Sequence, residues 1–285
     1  MDTIKENAYA KLNLTLDITG AREDGYHDMV MVMQTISLHD ELEIEITGDG
    51  SVTASANLAF IPGDERNLAV KAAKLFFERA GINDGARIKM DKKIPVGAGM
   101  AGGSSDAAAV LRALNRYYGS PLSQEEMMEL AGGTGSDVAF CYMGGTALAK
   151  GRGEVLTPLK SIPECQFVVA KPQFSIATPE LFKAIDKMKL RVHPDTDGIL
   201  KAIDEGNLVE ISRRMYNVFE DVPDRRMKTT AEIKSRLLEA GALGAIMTGT
   251  GSAVFGIFAP DSETAPLRAE LEKEYGFACE ARKAN

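Results

Sequence analysis

The chain is poor in the residues that cross-link or metallate a fold. Its 285 residues include three cysteines, Cys141, Cys165 and Cys279, and three histidines, His27, His39 and His193. The cysteines are widely spaced, match no metal-binding pattern and cannot all pair, which points to a reducing, cytoplasmic setting. The scattered histidines argue against a zinc site. No apolar run approaches the length of a membrane span. The N-terminal stretch MDTIKENAYAKLNL lacks a basic segment followed by an apolar core, so no secretory signal is expected. A surplus of positive charge is missing too. The formal net charge is −8, which disfavours nucleic acid or a membrane surface as a partner. A local loop can still bind an anion inside an acidic protein. Internal repeats and low-complexity segments are absent. The chain is 45% hydrophobic, enough for one large domain or two of ordinary size.

Hydrophobic periodicity marks the elements. Ala8, Ala10, Leu12, Leu14, Leu16 and Ile18 alternate with Tyr9, Lys11, Asn13, Thr15 and Asp17, the pattern of a half-buried strand. Leu42, Ile44 and Ile46 alternate with glutamates in a second strand with a wet face. Met29, Met31 and Met33 read as strand packing. Residues 67–81 predict a helix ending at glycine, and 87–94 a short strand. Two helices follow. The second starts at Ser123 with Glu126 completing a capping box, and Gly132 and Gly133 are expected to stop it. A boundary is expected at 160–164, around Pro163, dividing 1–160 from 161–285. Beyond it lie a strand at 166–170, helices near 179–188, 197–205, 208–216 and 229–240, strands at 243–247 and 253–258, a helix near 263–275 and a strand near 277–282. Antiparallel-looking strands mixed with helix pairs predict two α+β lobes.

The most informative stretch is IPVGAGMAGGSSDAAAVLRALN, residues 94–115. Gly97, Gly99, Gly102 and Gly103 lie in a loop, Ser104, Ser105 and Asp106 stand where a helix would start, and Ala108, Val110, Leu111 and Leu114 recur at helical spacing. Glycines let backbone N–H groups crowd round an anion, and the helix dipole points at the same place. This is a phosphate cradle. Gly97–Gly102 also fits the dinucleotide fingerprint G-x-G-x-x-G, but the preceding Lys89-Met90-Asp91-Lys92-Lys93 is no buried apolar strand, and a second helix stands where the acidic strand should be. The Walker loop and the protein-kinase motifs H-R-D and D-F-G are missing.

The run Pro95-Val96-Gly97-Ala98-Gly99-Met100-Ala101-Gly102-Gly103-Ser104-Ser105 resembles the ATP loop of the GHMP kinases, which include galactokinase, homoserine kinase and mevalonate kinase. Two more segments match in order: Ala8-Tyr9-Ala10-Lys11-Leu12-Asn13-Leu14 and the glycine turn Thr248-Gly249-Thr250-Gly251-Ser252. The resemblance implies a two-lobe α+β kinase with an N-terminal ATP-loop lobe and a C-terminal ferredoxin-like lobe. Asp24-Gly25-Tyr26-His27, Gly144-Gly145-Thr146-Ala147, Gly151-Arg152-Gly153-Glu154 and Asn217-Val218-Phe219-Glu220 narrow the match to members that phosphorylate a cytidine diphosphate sugar alcohol, a small-molecule substrate, from ATP with Mg²⁺. The catalytic-aspartate segment departs from the family's G-A-D-V-P-F, reading Gly135-Ser136-Asp137-Val138-Ala139-Phe140, and Ala101 stands where glycine is commoner.

The resemblance implies roles for individual residues. Lys11 and Asp137 serve the acceptor hydroxyl, with Asp137 taking its proton. Residues 95–105 bind ATP, and Asn67 and Leu68 line the adenine pocket. Asn13, Tyr26, His27, Thr178 and Phe182 bind the substrate, with the two aromatic rings stacking on cytosine and His27 at its edge. Ser104 or Ser105 contacts phosphate or Mg²⁺. Plainer readings stand beside these: a solvated strand face for Lys11 and Asn13, helix caps for Asn67, Ser104, Ser105 and Asp137, and a helix core position for Phe182. The functional alternatives are another small-alcohol kinase of the family such as homoserine kinase, a dinucleotide-dependent oxidoreductase, and a catalytically silent binder.

Overall fold

The alternating N-terminal residues form a strand longer than their pattern marks. In the computed structural model, which describes residues 2–284, β1 (Thr3–Ala21) and β2 (His27–Thr47) are joined by a turn at 22–26. There follow β3 (Val52–Ala56), α1 (Leu68–Ala80), β4 (Gly85–Asp91), α2 (Gly102–Tyr117), α3 (Gln124–Thr134), α4 (Val138–Met143), β5 (Thr146–Gly151) and β6 (Val155–Pro158). Then come β7 (Gln166–Lys171), α5 (Thr178–Ile185), α6 (Thr196–Asp204), α7 (Leu208–Arg213), β8 (Tyr216–Asn217) and a 3-10 turn at Val218–Asp221. The chain closes with α8 (Met227–Glu239), β9 (Gly244–Met247), β10 (Val254–Phe258), α9 (Ala265–Tyr275) and β11 (Phe277–Arg282). One sheet has the order β3-β4-β2-β1-β8, with β5 paired to β2 and β6 to β5; the other has the order β11-β7-β10-β9.

Two compact units form, each discontinuous in sequence. The first comprises residues 2–10, His39–Ile94 and Ala101–Gly144. Here β4 runs antiparallel to β2, pairing Leu42 with Met90 and Ile44 with Ile88, all four buried. Helices α1 and α2 pack together, and α2 packs on α4. Ala107, Ala108, Ala109 and Ala113 are fully buried, so α2 is covered on nearly every side and its small side chains admit close neighbours. As expected, α1 is capped by Asn67 and closed by Gly81 in the left-handed conformation, and α3 carries the Ser123–Glu126 capping box.

The second unit comprises Lys11–Leu38, Pro95–Met100 and residues 145–284. Its four-stranded sheet follows the chain order β-α-β-β-α-β, counting α5–α8 as one helical connection. Every neighbouring pair is antiparallel, the split βαβ pattern of ferredoxin-like domains. Phe167, Phe255 and Phe258 are buried on it.

Four local expectations change. Lys11–Ile18 are buried at every position, so the polar face of β1 is not wet. Its polar groups bond to protein instead: Thr15 Oγ1 accepts from Val32 N–H, and Asp17 meets His193 Nδ1 at 2.8 Å. Gly132 and Gly133 lie inside α3, which runs on to Thr134. Two glycines weaken a helix by about 1 kcal/mol each, and the capping box with buried Met127 and Ala131 outweighs that here. Ser104 and Ser105 do not cap α2, which starts earlier, after Ala101 in the left-handed conformation. The helix expected to reach Tyr216 ends at Arg213, because Tyr216 and Asn217 pair in parallel with Thr15 and Leu16 of β1.

Candidate active site

Three segments far apart in sequence meet in the second unit: β1, the glycine segment and the turn between β9 and β10. Lys11 N–H donates to Met100 O at 3.2 Å, and Ala253 N–H donates to Ala98 O at 3.2 Å. Met100 and Ala98 are buried, whereas Val96 and Gly97 are exposed. The segment is therefore pinned at Ala98 and Met100 and open before them, at Val96 and Gly97. Gly99 has φ +75°, and a Cβ there would fall 2.2 Å from Thr248 O. Only glycine fits so close to another backbone in that conformation.

Lys11 and Asn13 come together on β1. Lys11 Nζ donates to Asn13 Oδ1 at 2.5 Å, and both residues are buried. Asn13 N–H donates to Thr248 Oγ1 at 3.0 Å. Behind the turn, Asn217 Nδ2 donates to Met247 O and Gly249 O, each at 2.8 Å, and Glu220 Oε1 accepts from Met247 N–H at 2.9 Å. The Asn217–Glu220 motif thus holds the glycine turn in place. Lys171 supports the neighbouring segment, with Nζ donating to Pro172 O and Phe174 O. Burial pulls its ammonium below the usual lysine range. Ser252 Oγ donates to the same Phe174 O at 2.6 Å.

His27 and Phe182 also meet. Their ring centroids are 4.8 Å apart at 30°, and Phe182 packs edge-on against Phe219 at 5.0 Å. His27 Nε2 lies 2.6 Å from Asp186 Oδ1, four residues beyond Phe182 and just past the end of α5. Sequence reading passes over Asp186; the helical offset from Phe182 is the signal that could have found it. Thr178, at the start of the same helix, has its hydroxyl 2.9 Å from that of Thr250. Tyr26 is more than half exposed, with the Arg152 guanidinium 5.1 Å from its ring centroid, an arrangement favourable to a cation and an aromatic face.

In the first unit, Ser105 is buried with its hydroxyl 2.7 Å from Tyr9 O and 3.0 Å from Ala101 O. Ser104 beside it is half-buried. Asn67 spends its side chain on Ala69 N–H and Pro62 O. A Cβ built on Gly103 or Gly135 would lie 3.9 Å from Leu68 Cδ1, so Leu68 sits against the start of α2 and the loop leading to Asp137. Asp137 is the half-buried residue before α4, and its side chain does not cap that helix.

Family models describe two parts of the chain: the GHMP kinases N terminal domain over residues 67–145 and the GHMP kinases C terminal domain over 199–276. The 4-diphosphocytidyl-2-C-methyl-D-erythritol kinase of Caldicellulosiruptor saccharolyticus is 45% identical over 88% of this chain and 87% of that protein. The chain belongs to the GHMP kinase family. The enzyme of the same name from Alkaliphilus metalliredigens is 43% identical over 90% of this chain and 89% of its own length. A crystal structure of 4-(cytidine 5'-diphospho)-2C-methyl-D-erythritol kinase matches with TM-score 0.82 and 33% identity, covering 99% of this chain and all of that one. A homoserine kinase from Cytophaga hutchinsonii, at 17% identity and TM-score 0.79 over 100% of this chain and 95% of its own, shares the fold. Membership in this family, and a glycine segment following a strand antiparallel to β2, set aside the dinucleotide-dependent oxidoreductase.

Proposed function

We propose that this GHMP kinase transfers the γ-phosphoryl group of ATP to the 2-hydroxyl of 4-diphosphocytidyl-2-C-methyl-D-erythritol, a step of the non-mevalonate isoprenoid precursor pathway. The observation that carries the reading is similarity along nearly the whole chain to kinases of that name, at 43–45% identity. Residues 1–160 and 161–285 are proposed as its N- and C-terminal family domains, and the cytoplasm as its setting. Among the described residues no helix is long and apolar enough to cross a membrane.

Phosphoryl transfer needs alignment and charge neutralisation more than a strong base. Asp137 accepts the proton of the attacking hydroxyl as its oxygen bonds to the γ-phosphorus and the bond to the ADP oxygen breaks. Lys11, oriented by Asn13, neutralises charge developing on that oxygen. Residues 95–105 surround the phosphates, and Asn67 and Leu68 border adenine. Asn13, Tyr26, His27, Thr178 and Phe182 receive the cytidine diphosphate sugar alcohol, the rings stacking on cytosine. A magnesium ion travels chiefly on the nucleotide's phosphates. Ser104 is the hydroxyl suited to it or to phosphate, since Ser105 is bonded to backbone oxygens. The test is ADP release with the diphosphocytidyl sugar alcohol against homoserine and mevalonate. ADP formed only with the first supports the reading; equal or greater rates with the others overturn it.

A further inference from the structure

The flanks of the glycine segment are joined by a buried group of three charges that the proposed mechanism leaves unused. Lys92, just after β4, places Nζ 2.5 Å from Asp40 Oδ2 of β2 and in contact with Asp106 Oδ2 in α2. The three side chains are 3%, 0% and 4% exposed. Asp40 Oδ1 also accepts from Lys93 N–H at 2.5 Å and Ile94 N–H at 2.7 Å. The backbone entering the segment is thus bonded to Asp40, and the helix leaving it is bonded through Lys92 to the same carboxylate. A Cβ on Gly102 would lie 3.6 Å from Lys92 Nζ, so the ammonium sits directly behind the start of α2.

Stability alone is a poor reason for this group. Two carboxylates face one ammonium, and Asp106 Oδ1 is buried with no hydrogen-bond partner. Buried ionic groups of this kind are often less stable than neutral replacements of the same shape.

We infer that Lys92, bridging Asp40 and Asp106, is a positioning residue that fixes the spacing between the two flanks of the glycine segment and thereby sets affinity for the nucleotide triphosphate. The inference rests on the kinase reading. The Asp106 charge is what draws Lys92 toward α2; with a neutral group there, Lys92 pairs with Asp40 alone and the flanks are no longer linked by charge.

The test is Asp106→Asn, measured by calorimetry with Mg²⁺ and a non-hydrolysable ATP analogue, by urea unfolding at pH 8, and by steady-state kinetics. Losing one charge-assisted bridge should raise the analogue Kd and the KM for ATP at least about tenfold. The KM for the acceptor should stay within twofold. Stability at pH 8 should rise, a combination that a merely structural role would not produce. Lys92→Gln should weaken nucleotide binding likewise, and Lys92→Arg, which can bridge both carboxylates, should restore it. A folded Asp106→Asn protein with unchanged analogue affinity overturns the inference and leaves the kinase reading intact. A parent protein that binds no analogue overturns both.

Discussion

Thr248 Oγ1 accepts a hydrogen bond from the backbone N–H of Asn13 at 3.0 Å, joining residues 235 positions apart. Both residues are fully buried. Thr248→Val keeps the shape and leaves that N–H unpaired, which should cost about 1–3 kcal/mol of stability. Thr248→Ser should cost far less. Urea unfolding of the two variants separates the hydrogen bond from the methyl group; equal losses would show that the hydroxyl contributes nothing.

Gly99 and Gly102 should respond differently to alanine. Gly99→Ala meets Thr248 O at 2.2 Å in a left-handed conformation, whereas Gly102→Ala meets the Ile94 side chain at 3.2 Å. The first should lower stability by at least about 1–2 kcal/mol and weaken binding of the ATP analogue. The second should be mild in both. Calorimetry on the two variants makes the comparison, and a fully competent Gly99→Ala would remove the close approach from the account.

Asp137→Asn should fold, bind ATP and lose about 10²–10⁴-fold in kcat, the usual contribution of a positioned proton acceptor. Near-normal turnover would take Asp137 out of the mechanism.

Base recognition should govern the acceptor side. His27→Ala and Phe182→Ala remove two rings whose centroids are 4.8 Å apart. Loss of a stacking face should lower kcat/KM by about 1–3 kcal/mol in Phe182→Ala, with ATP affinity unchanged in both. CMP and CDP should compete with the acceptor. If neither competes and both variants work normally, a general small-alcohol kinase is the better reading.

The Asp106 carboxyl, pushed up to about 7 chiefly by burial, gives a pH signature with a definite sign. An unfolded aspartate titrates near about 4. Between these values the folded protein holds a proton that the unfolded chain has released. Stability from this group therefore falls as pH rises from about 4 to 7, and the full penalty is present above that window. Asp106→Asn should gain stability over the parent at pH 8, and the gain should shrink steadily toward pH 4. A gain independent of pH would assign the effect to something other than this proton.

Much of the fold was legible because its signals are local. The Asn67 cap, the Gly81 stop and the Ser123–Glu126 box depend on residues a few positions apart. The three site segments were also recognisable as motifs. What escaped depends on distant partners. Lys11, Asn13, Thr15 and Asp17 alternate like a wet face, and their burial follows from partners such as Thr248 and His193 far along the chain. Strand β8 is two residues long and exists only through its pairing with β1. Ser105 reads as a cap until Tyr9 O is found beside its hydroxyl. Lys92 lies in the charged stretch Lys89–Lys93 ahead of the glycines, and nothing local to it announces Asp40.

The interleaving of the two units bears on the order in which the chain can fold as it is made. Every part of the first unit precedes residue 145. The second needs Lys11–Leu38 together with strands as late as β11. Strand β1 has β2 beside it early, but its other neighbour β8, and the Thr248 that bonds Asn13 N–H, are made far later. Unpaired strand edges in such an interval are open to wrong pairing. A chain halted between α4 and β8 would own every residue of the first unit and a β1 edge still without its β8 partner. The surroundings of the Lys11–Asn13 pair are thus complete only once Thr248 has been made.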